Sequence, residues 1–556
     1  MKQSFSSIQR PVILDEMSTM NLDVLVVGGG ITGAGIALDA QTRGMTSGLI
    51  EMRDFASGTS SKSTKLVHGG LRYLKQFEIK EVSEIGKERA IVYENAPHVT
   101  TPLWMLLPTV KGGTFNRVTL KAGLSVYDRL AKVKRSERHS ILNKKQTYEK
   151  EPLLDKKKIH GGGYYVEYRT DDARLTLEVM KEAVKRGTRA VNYVKAEAFL
   201  YENGKVAGVR AVDMISGKTW DIRAKKVINA AGPWVDTLRE KDRSNKGKHL
   251  HLTKGVHITI DGNRFPLGQA VYFDAPDGRL LFAIPREGKV YIGTTDTDYY
   301  GDILNLQMTV KDRDYLLEAT NNLFTSAKLE AKDVESSWAG VRPLVHEEGK
   351  DPSEISRKDE IFVSDSGLIS IAGGKLTGYR KMAQRVIDQT AKELKEEGVG
   401  SYPKCQTRNI RLSGGDVGGS DAFDEFIQDK VREGTTLGLL ADEAERLVRR
   451  YGSNVERIYD ILRTNGEEAI HYNLTKEIFA MVVYGIEEEM TVTPADFFIR
   501  RSGSMFFHIN WVKKWKDTVV DCMAHRLHWT DEEKRKHVEK LEQRMEEATI
   551  PAQEEK

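Results

Sequence analysis

Gly28, Gly30 and Gly33 stand at the spacing that binds the phosphates of a dinucleotide. In this pattern the first glycine permits a tight turn, the second lets the backbone approach a pyrophosphate, and the third allows close packing of helix on strand. A helix that begins here offers free N–H groups and its positive dipole end to phosphate. Glu51 follows 23 residues after Gly28, where an acid can accept hydrogen bonds from ribose hydroxyls. Together these features predict a dinucleotide site rather than an ordinary glycine turn.

Three further segments favour FAD over NAD as the dinucleotide. Residues 55–68 form a small, hydroxyl-rich loop suited to wrap a pyrophosphate and a flavin. Residues 229–234 supply small side chains at a strand end, and residues 373–377 open a helix whose positive end can stabilise a reduced flavin. Sites spread this far along the chain indicate a large cofactor in a discontinuous domain. The expected cofactor-binding residues are Gly28, Gly30, Gly33, Glu51, Thr59, Ser60, Ser63, Lys65, His68, Val194, Ala231, Gly232, Gly374, Lys375, Leu376 and Thr377.

Alternating strands and helices must position these residues. The predicted elements around the cofactor are a strand at 22–27, a helix at 34–43, a strand ending at Glu51, a helix at 175–186 and a strand at 190–194. Residues 100–170 and 245–335 are strand-rich and interrupt this part, and after about residue 400 the predicted elements are helices. A chain of 556 residues is too long for one core, so two or three domains are expected.

Composition and charge exclude several classes of protein. A chain that is 39% hydrophobic and 30% charged has an ordinary soluble composition, and its net charge of +4 is too weak and diffuse for a nucleic-acid partner. Cys405 and Cys522 are the only cysteines, so no metal centre or disulfide framework is expected and a reducing cytoplasm fits. Residues 1–21 lack the apolar core of a signal peptide, and no run of about 18 apolar residues occurs, so any membrane association is peripheral.

Seven motifs run through the chain between residues 59 and 380. They are Thr59-Ser-Ser-Lys-Ser-Thr-Lys-Leu-Val-His-Gly-Gly-Leu-Arg-Tyr-Leu74, Asp171-Asp-Ala-Arg-Leu175, Asn229-Ala-Ala-Gly-Pro-Trp-Val235, Lys254-Gly-Val-His257, Ile292-Gly-Thr-Thr-Asp296, Gly340-Val-Arg-Pro-Leu344 and Gly373-Gly-Lys-Leu-Thr-Gly-Tyr-Arg380. In this order they resemble the respiratory FAD-dependent glycerol-3-phosphate dehydrogenases. The sequence departs from that pattern at Val256 and Gly378. The later helical region also resembles the family's cap domain, without sharp motifs.

The resemblance implies an α/β fold with a glutathione-reductase-like FAD-binding domain, an antiparallel-sheet substrate domain and a C-terminal all-helical cap domain. The implied domains are residues 20–98 with 172–244 and 336–398 for FAD, 99–171 with 245–335 for substrate, and 399–556 for the cap. The implied reaction oxidises sn-glycerol 3-phosphate to dihydroxyacetone phosphate, with hydride transfer to flavin N5 and electrons passed to membrane quinone. This implies a cytoplasmic protein bound peripherally to the anionic inner face of the cell membrane. The oligomeric state stays open, with a homodimer as one option.

The resemblance also implies roles for residues that a small dianionic alcohol would need. Arg72, Tyr73 and Arg357 are the candidate phosphate ligands, since arginine binds phosphate in a bidentate manner and tyrosine adds a hydroxyl. The other candidates are Arg342 and Lys375 for the reacting oxygen, His257 as general base, and Thr295 for a substrate oxygen. Each of these residues could instead have a purely structural role, the cations in an ion pair and His257 as a packed histidine.

Three other functions compete with this interpretation. A glycerol-3-phosphate oxidase, which passes electrons to O₂ and forms peroxide, would share nearly every motif; such enzymes usually carry an extra segment that is not evident here. An FAD-linked amine or amino-acid oxidase could use the same scaffold. A flavoprotein without catalysis is the third. The phosphate-type cluster of Arg72, Tyr73 and Arg357 argues against the second. The presence of Arg342, Lys375 and His257 together argues against the third.

Transfer of electrons to a membrane quinone requires contact with the bilayer, and residues 114–135 are the favoured anchor. This stretch combines six basic residues with the single acid Asp128, a composition that suits an anionic membrane. The apolar residues that recur there at three- and four-residue steps are Leu120, Leu124, Tyr127 and Leu130. The alternative is a helix packed on the substrate domain with its basic residues solvated. Residues 506–515 are a second candidate.

Overall fold

The computed structural model describes residues 5–68, 79–131, 133–347 and 358–553. The strands within these ranges are β1 Leu22–Val27, β2 Ser47–Ile50, β3 Leu66–Val67, β4 Thr100–Val110, β5 Ser140–Asn143, β6 Ile159–Thr170, β7 Arg189–Val191, β8 Val194–Glu202, β9 Lys205–Asp213, β10 Thr219–Asn229, β11 Lys248–Asp261, β12 Ala270–Asp274, β13 Leu280–Arg286, β14 Lys289–Gly293, β15 Thr297–Asp298, β16 Val334–Glu347, β17 Glu360–Val363 and β18 Ile369–Ala372.

Helices fill much of the remaining chain and dominate after β18. The α-helices are α1 Arg10–Thr19, α2 Ile31–Thr42, α3 Ile79–Asn95, α4 Arg117–Leu130, α5 Lys144–Lys150, α6 Asp172–Lys185, α7 Val235–Lys241, α8 Val310–Leu323, α9 Tyr379–Glu396, α10 Phe423–Thr436, α11 Ala441–Tyr451, α12 Val455–Asn465, α13 Lys476–Glu488, α14 Pro494–Asp496, α15 Ser504–Phe507, α16 Ile509–Arg526 and α17 Asp531–Thr549. No described helix is both long enough and apolar enough to cross a bilayer.

The first sheet contains the parallel strands that the glycine pattern requires. Its order is β17-β18-β10-β1-β2-β7, with β8 and β9 attached through β10. The neighbours from β18 to β7 run parallel, whereas β17 is antiparallel. Every residue of β1 is buried, as expected for a strand covered on both faces, and α2 packs beside α6 and α9. The predicted strand–helix–strand unit is therefore present as β1, α2 and β2.

The second sheet is mostly antiparallel and packs a core on each face. Its order is β15-β11-β14-β13-β12-β4-β6-β3, with β16 on β11 and β5 on β6. Successive side chains point to opposite faces: Met105 and Leu107 join the helical region's core, whereas Leu106 joins a core with α8. β16 pairs with β11 from Val334 to Glu347, so the domain boundary expected between residues 335 and 336 falls inside this strand.

The helices after residue 423 share one hydrophobic core with the second sheet. This core joins Phe479 and Val483 of α13 to Tyr291 and Trp338 of the sheet. The mixed α/β fold with an all-helical C-terminal region agrees with the fold class expected from the sequence. A buried ion pair also ties this region to the first sheet's layer, because Arg174 of α6 contacts Glu489 after α13.

The helix proposed as a membrane anchor has its apolar face inside the protein. In α4, Leu120 is 1% exposed and Leu124 is fully buried. They lie over β6, where a Cβ added at Gly163 would sit 2.7 Å from Leu124 Cδ1. The anchor prediction is wrong for this face, because the glycines of β6 leave room for the leucines to pack. Residues 506–515, the second candidate anchor, begin with Phe506, which is buried in the same core.

Candidate functional site

A long cavity lies at the carboxyl ends of β1, β2, β10 and β18, where α/β sheets of this kind bind ligands. Of the sixteen cofactor residues expected from the sequence, twelve line it: Gly28, Gly30, Glu51, Thr59, Ser60, Ser63, Val194, Ala231, Gly232, Gly374, Lys375 and Leu376. The cavity thus runs from the turn after β1 to the turn after β18. Its length and its chemistry fit a dinucleotide.

The turn after β1 needs glycine for steric reasons. Gly28 has φ of +120°, and a Cβ there would lie 2.4 Å from the Ala230 carbonyl oxygen. A Cβ at Gly33 would lie 1.9 Å from the carbonyl oxygen of Gly28, so this glycine lets α2 approach the turn closely. Gly33 therefore acts from behind the cavity. Gly30, Ile31 and Thr32 at the start of α2 line the cavity, and a helix N-terminus in this position is the arrangement that binds a pyrophosphate.

Glu51 is held at the end of β2 by two backbone donors. Its carboxylate accepts hydrogen bonds from the N–H groups of Gly29, at 2.7 Å, and Arg53, at 2.9 Å. Burial is the largest influence on this carboxyl and raises its pKa. The two contacts fix the carboxylate beside the cavity, where each oxygen keeps a lone pair for a ribose hydroxyl.

The hydroxyl-rich loop is anchored to the protein by the side chains expected to bind the cofactor. The Thr59 hydroxyl donates to the Val341 carbonyl at 2.8 Å, and Ser60 Oγ accepts from the Ile31 N–H at 3.0 Å. Ser63 Oγ and Lys65 Nζ both donate to Asp172, at 2.7 and 2.6 Å. Lys65 does not line the cavity, because its ammonium is buried against this carboxylate.

His68 and Thr377 also lie beside the cavity rather than on its wall. Thr377 Oγ1 donates to the His68 carbonyl at 3.3 Å, which joins the loop to the start of α9. Burial, followed by the charge of Lys375, lowers the pKa of His68 to about 4. His68 is therefore neutral at physiological pH.

Two cations lie on or beside the end of the cavity formed by β16 and β18. Lys375 lines the cavity immediately before the helical turn Leu376–Gly378. Arg342 precedes the lining residue Pro343, and its guanidinium donates to Asp296 at 3.2 Å and to Thr294 Oγ1 at 3.1 Å. The site therefore presents positive charge where an oxyanion could develop.

Gly255 gives the Arg342 guanidinium its room. A Cβ at Gly255 would lie 2.6 Å from both Arg342 Nη2 and Thr294 Oγ1. The glycine of the Lys254–His257 motif thus has a specific steric purpose in the second sheet.

His257 is buried behind this end of the cavity. The residue is 1% exposed, its ring stacks on Trp338 at 4.8 Å, and its Nε2 lies 3.0 Å from Thr64 Oγ1. Burial, followed by the charges of Arg342 and Lys65, holds the pKa of the ring well below its usual range. The imidazole is therefore neutral and able to accept a proton, and Thr64 is its contact toward the loop.

The structure separates the two threonines of the Ile292–Asp296 motif. Thr295 is 1% exposed, and its hydroxyl accepts from the Val256 N–H at 3.0 Å and donates to the Lys254 carbonyl at 3.3 Å. Thr294 contacts Arg342 instead. Sequence reasoning missed Thr294 and Asp296, although the motif contains both. Arg72, Tyr73 and Arg357 lie outside the described residues.

Comparison with known proteins gives full-length matches. Residues 23–380 match the family model described as FAD dependent oxidoreductase, and residues 405–534 match the C-terminal domain of alpha-glycerophosphate oxidase. The aerobic glycerol-3-phosphate dehydrogenase of Bacillus subtilis (strain 168) is 58% identical over 99% of both chains. The protein of the same name from Staphylococcus haemolyticus is 54% identical over 98% of both.

Solved structures agree with these matches. The glycerol-3-phosphate dehydrogenase from Bacillus halodurans, complexed with FAD, superposes with a TM-score of 0.86 at 54% identity, covering 98% of this chain and 99% of that one. The L-alpha-glycerophosphate oxidase from Mycoplasma pneumoniae, with FAD bound, has a TM-score of 0.55 at 16% identity, covering 71% of this chain and 98% of that one. The second likeness shows the fold alone.

Proposed function

The chain belongs to the family of FAD-dependent aerobic glycerol-3-phosphate dehydrogenases, and we propose that it oxidises sn-glycerol 3-phosphate to dihydroxyacetone phosphate and passes the electrons to membrane quinone. The observation that carries this proposal is Lys375 on the wall of a cavity that fits FAD, with Arg342 next to the lining residue Pro343. The residues around the cavity would hold FAD, which when bound would supply flavin N5 as the acceptor for the hydride from C2 of the substrate.

Arg342 and Lys375 bind the C2 oxygen in this proposal. Two cations in a partly buried site stabilise the alkoxide that develops as the hydroxyl proton leaves. Asp296 and Thr294 orient the guanidinium of Arg342 through their hydrogen bonds to it. Lys375 reaches the same oxygen in this proposal from the segment after β18, whereas Arg342 belongs to β16.

His257 receives the hydroxyl proton. Burial and neighbouring cations depress its pKa, which keeps the ring neutral before the reaction and means that it holds an accepted proton weakly. The Thr64 hydroxyl, 3.0 Å from Nε2, is the group through which the proton reaches it. Arg72, Tyr73 and Arg357 are proposed as phosphate ligands on the sequence alone.

The outward face of α4 supports a peripheral contact with an anionic membrane. Although its leucines are buried, Val118 is 77% exposed and Val126 is 42% exposed on the solvent side. Arg117, Lys121 and Arg129 supply positive charge on the same helix, and all three are exposed. Such a surface would hold the enzyme where quinone is available, on the cytoplasmic side of the membrane.

Rapid mixing with substrate tests the proposed reaction. Anaerobic addition of sn-glycerol 3-phosphate to the FAD-loaded protein should bleach the flavin absorbance within one turnover. Absence of bleaching would contradict the substrate assignment. Reoxidation by a soluble quinone analogue should then outpace reoxidation by O₂. A faster reaction with O₂, with peroxide formed, would favour the oxidase.

A further inference from the structure

A second cavity lies beside the cofactor cavity and is built from several distant parts of the chain. The loop after β2 contributes Arg53 and Lys62, β16 contributes Trp338, and the helical region contributes Arg500 and Arg544. Ser57 lines both cavities, so they adjoin each other. Helix α17 covers this cavity from the side of β16, where Ser337 Oγ donates to the Ala548 carbonyl at 3.1 Å.

The carboxylates in this cavity are already occupied. Asp54 is contacted by both Arg500 and Arg501. Asp496 binds Arg500 at 2.7 Å and accepts from the Tyr193 hydroxyl at 2.8 Å. Glu547 pairs with Arg544 at 2.5 Å, one helical turn apart on α17.

Three further cations in the cavity lack a carboxylate within salt-bridge distance among the described residues. They are Arg53, Lys62 and Lys540. Arg53 and Lys62 are half-buried, whereas Lys540 is exposed at the edge. Packing cations together without a directly paired carboxylate costs free energy, and this cost is relieved when an anion binds between them.

The pKa of Lys62 reflects both its burial and the neighbouring cations. Burial, and then the charges of Arg544, Arg53 and Arg500, lower the pKa of Lys62 to about 7. Burial and Arg544 likewise lower the pKa of Arg53. His537 does not add to the positive charge, since burial lowers its pKa to about 4.

We propose that this cavity is a binding site for a phosphate group, distinct from the cofactor and substrate sites, formed by Arg53, Lys62 and Arg544 with Lys540 at its mouth. Guanidinium groups match the oxygens of phosphate in a bidentate manner, and a lysine adds a point charge. The phosphate is supplied either as the free anion or as a phosphomonoester, and both present the same group to these cations.

Calorimetric titration of the FAD-loaded enzyme tests this site with two probes, inorganic phosphate and AMP. The test variant is the double change Lys540→Gln and Arg544→Gln, which removes two charges without touching the cofactor cavity. The matched control is Arg535→Gln with Lys536→Gln on the same helix, since neither residue lines the cavity. The double variant should bind phosphate about 10-fold or more weakly, as expected for lost charge-assisted contacts, while the control binds as the native enzyme does.

The outcomes separate the source of the phosphate from the existence of the site. Tighter binding of inorganic phosphate identifies the free anion as occupant, and tighter binding of AMP identifies a phosphomonoester. Equal affinity in the native enzyme and the double variant would overturn the proposal, because phosphate would then bind elsewhere, at the substrate end. Failure of the native enzyme to bind either probe would overturn it as well. Flavin content and melting temperature establish that each variant is folded.

Discussion

The two neighbouring cavities are made of different parts of the polypeptide. The cofactor cavity depends on the backbone: a glycine turn, four strand ends and the start of α2. The second cavity, lined by Arg53, Lys62, Arg500 and Arg544, is the basic cavity. It depends on side chains from the loop after β2 and from the helical region, which includes α17. Backbone geometry constrains the sequence locally, so the first leaves a motif. Side chains that meet only after folding leave no such motif, so the basic cavity could not be predicted from the sequence. The predictions below test this difference.

The largest expected effect is loss of the cofactor from Gly33→Ala. The single added carbon would lie 1.9 Å from the Gly28 carbonyl oxygen, so the turn or α2 must move. Flavin bound per protein, measured by absorbance after gel filtration, should fall about 10-fold or more, since the phosphate-binding geometry is lost. Gly123→Ala is the control, because nothing lies within 4 Å of the added carbon there. A flavin-replete Gly33→Ala would show that the backbone is less constrained than we infer.

The next largest effect is a loss of folding stability when the buried cluster of Asp54, Arg500 and Arg501 is disrupted. Asp54 is buried and is contacted by Arg500, Arg501 and Asn192. Asp54→Asn leaves buried guanidinium groups short of a carboxylate, which costs about 3–5 kcal/mol of unfolding free energy. Urea denaturation followed by circular dichroism measures this cost. The surface change Asp221→Asn should leave the midpoint unchanged, and an equally small effect at Asp54 would mean that the cluster contributes little to stability.

Lys375→Ala separates the backbone from the side chain at one position. The backbone at 373–376 lines the cofactor cavity, whereas the proposed contact with the substrate oxygen is made by the ammonium. FAD should stay bound while kcat falls about 100-fold or more, the usual cost of a lost oxyanion donor. Lys381→Ala on α9 is the control, since its ammonium contacts Gln384 outside the cavity. A normal kcat in the FAD-loaded Lys375 variant would refute the assigned role.

The sequence was most informative where one segment forms both the element and the contact. The turn at Gly28, the acid Glu51 and the helix start at Lys375 all fall where the pattern placed them. It was misleading for α4, because amphipathic spacing is the same whether the apolar face meets lipid or the glycines of β6. It could not choose between Thr294 and Thr295, since strand register decides which side chain faces Arg342.

The smallest expected effect is a pH dependence confined to the basic cavity. Sulfate is the probe, because its charge is constant between about pH 6 and pH 8. The titratable and charged groups that line the cavity together with Lys62 are Arg53, Asp54, Tyr193, Asp496, Arg500, His537, Lys540, Arg544 and Glu547. The pKa of Lys62 is about 7, whereas the pKa of His537 is about 4.

A bound anion stabilises the charged form of Lys62 and raises its pKa, so binding takes up a proton above pH 7. Sulfate affinity should therefore fall as pH rises through 7, by about 10-fold between pH 6 and pH 8 for a group with a pKa near 7. Lys62→Met should bind sulfate weakly at both pH values and lose this dependence. The N–H groups at the start of α2 do not titrate, so their contribution to cofactor binding is constant over this interval. A slope retained in Lys62→Met would assign the titration to another group and remove Lys62 from the site.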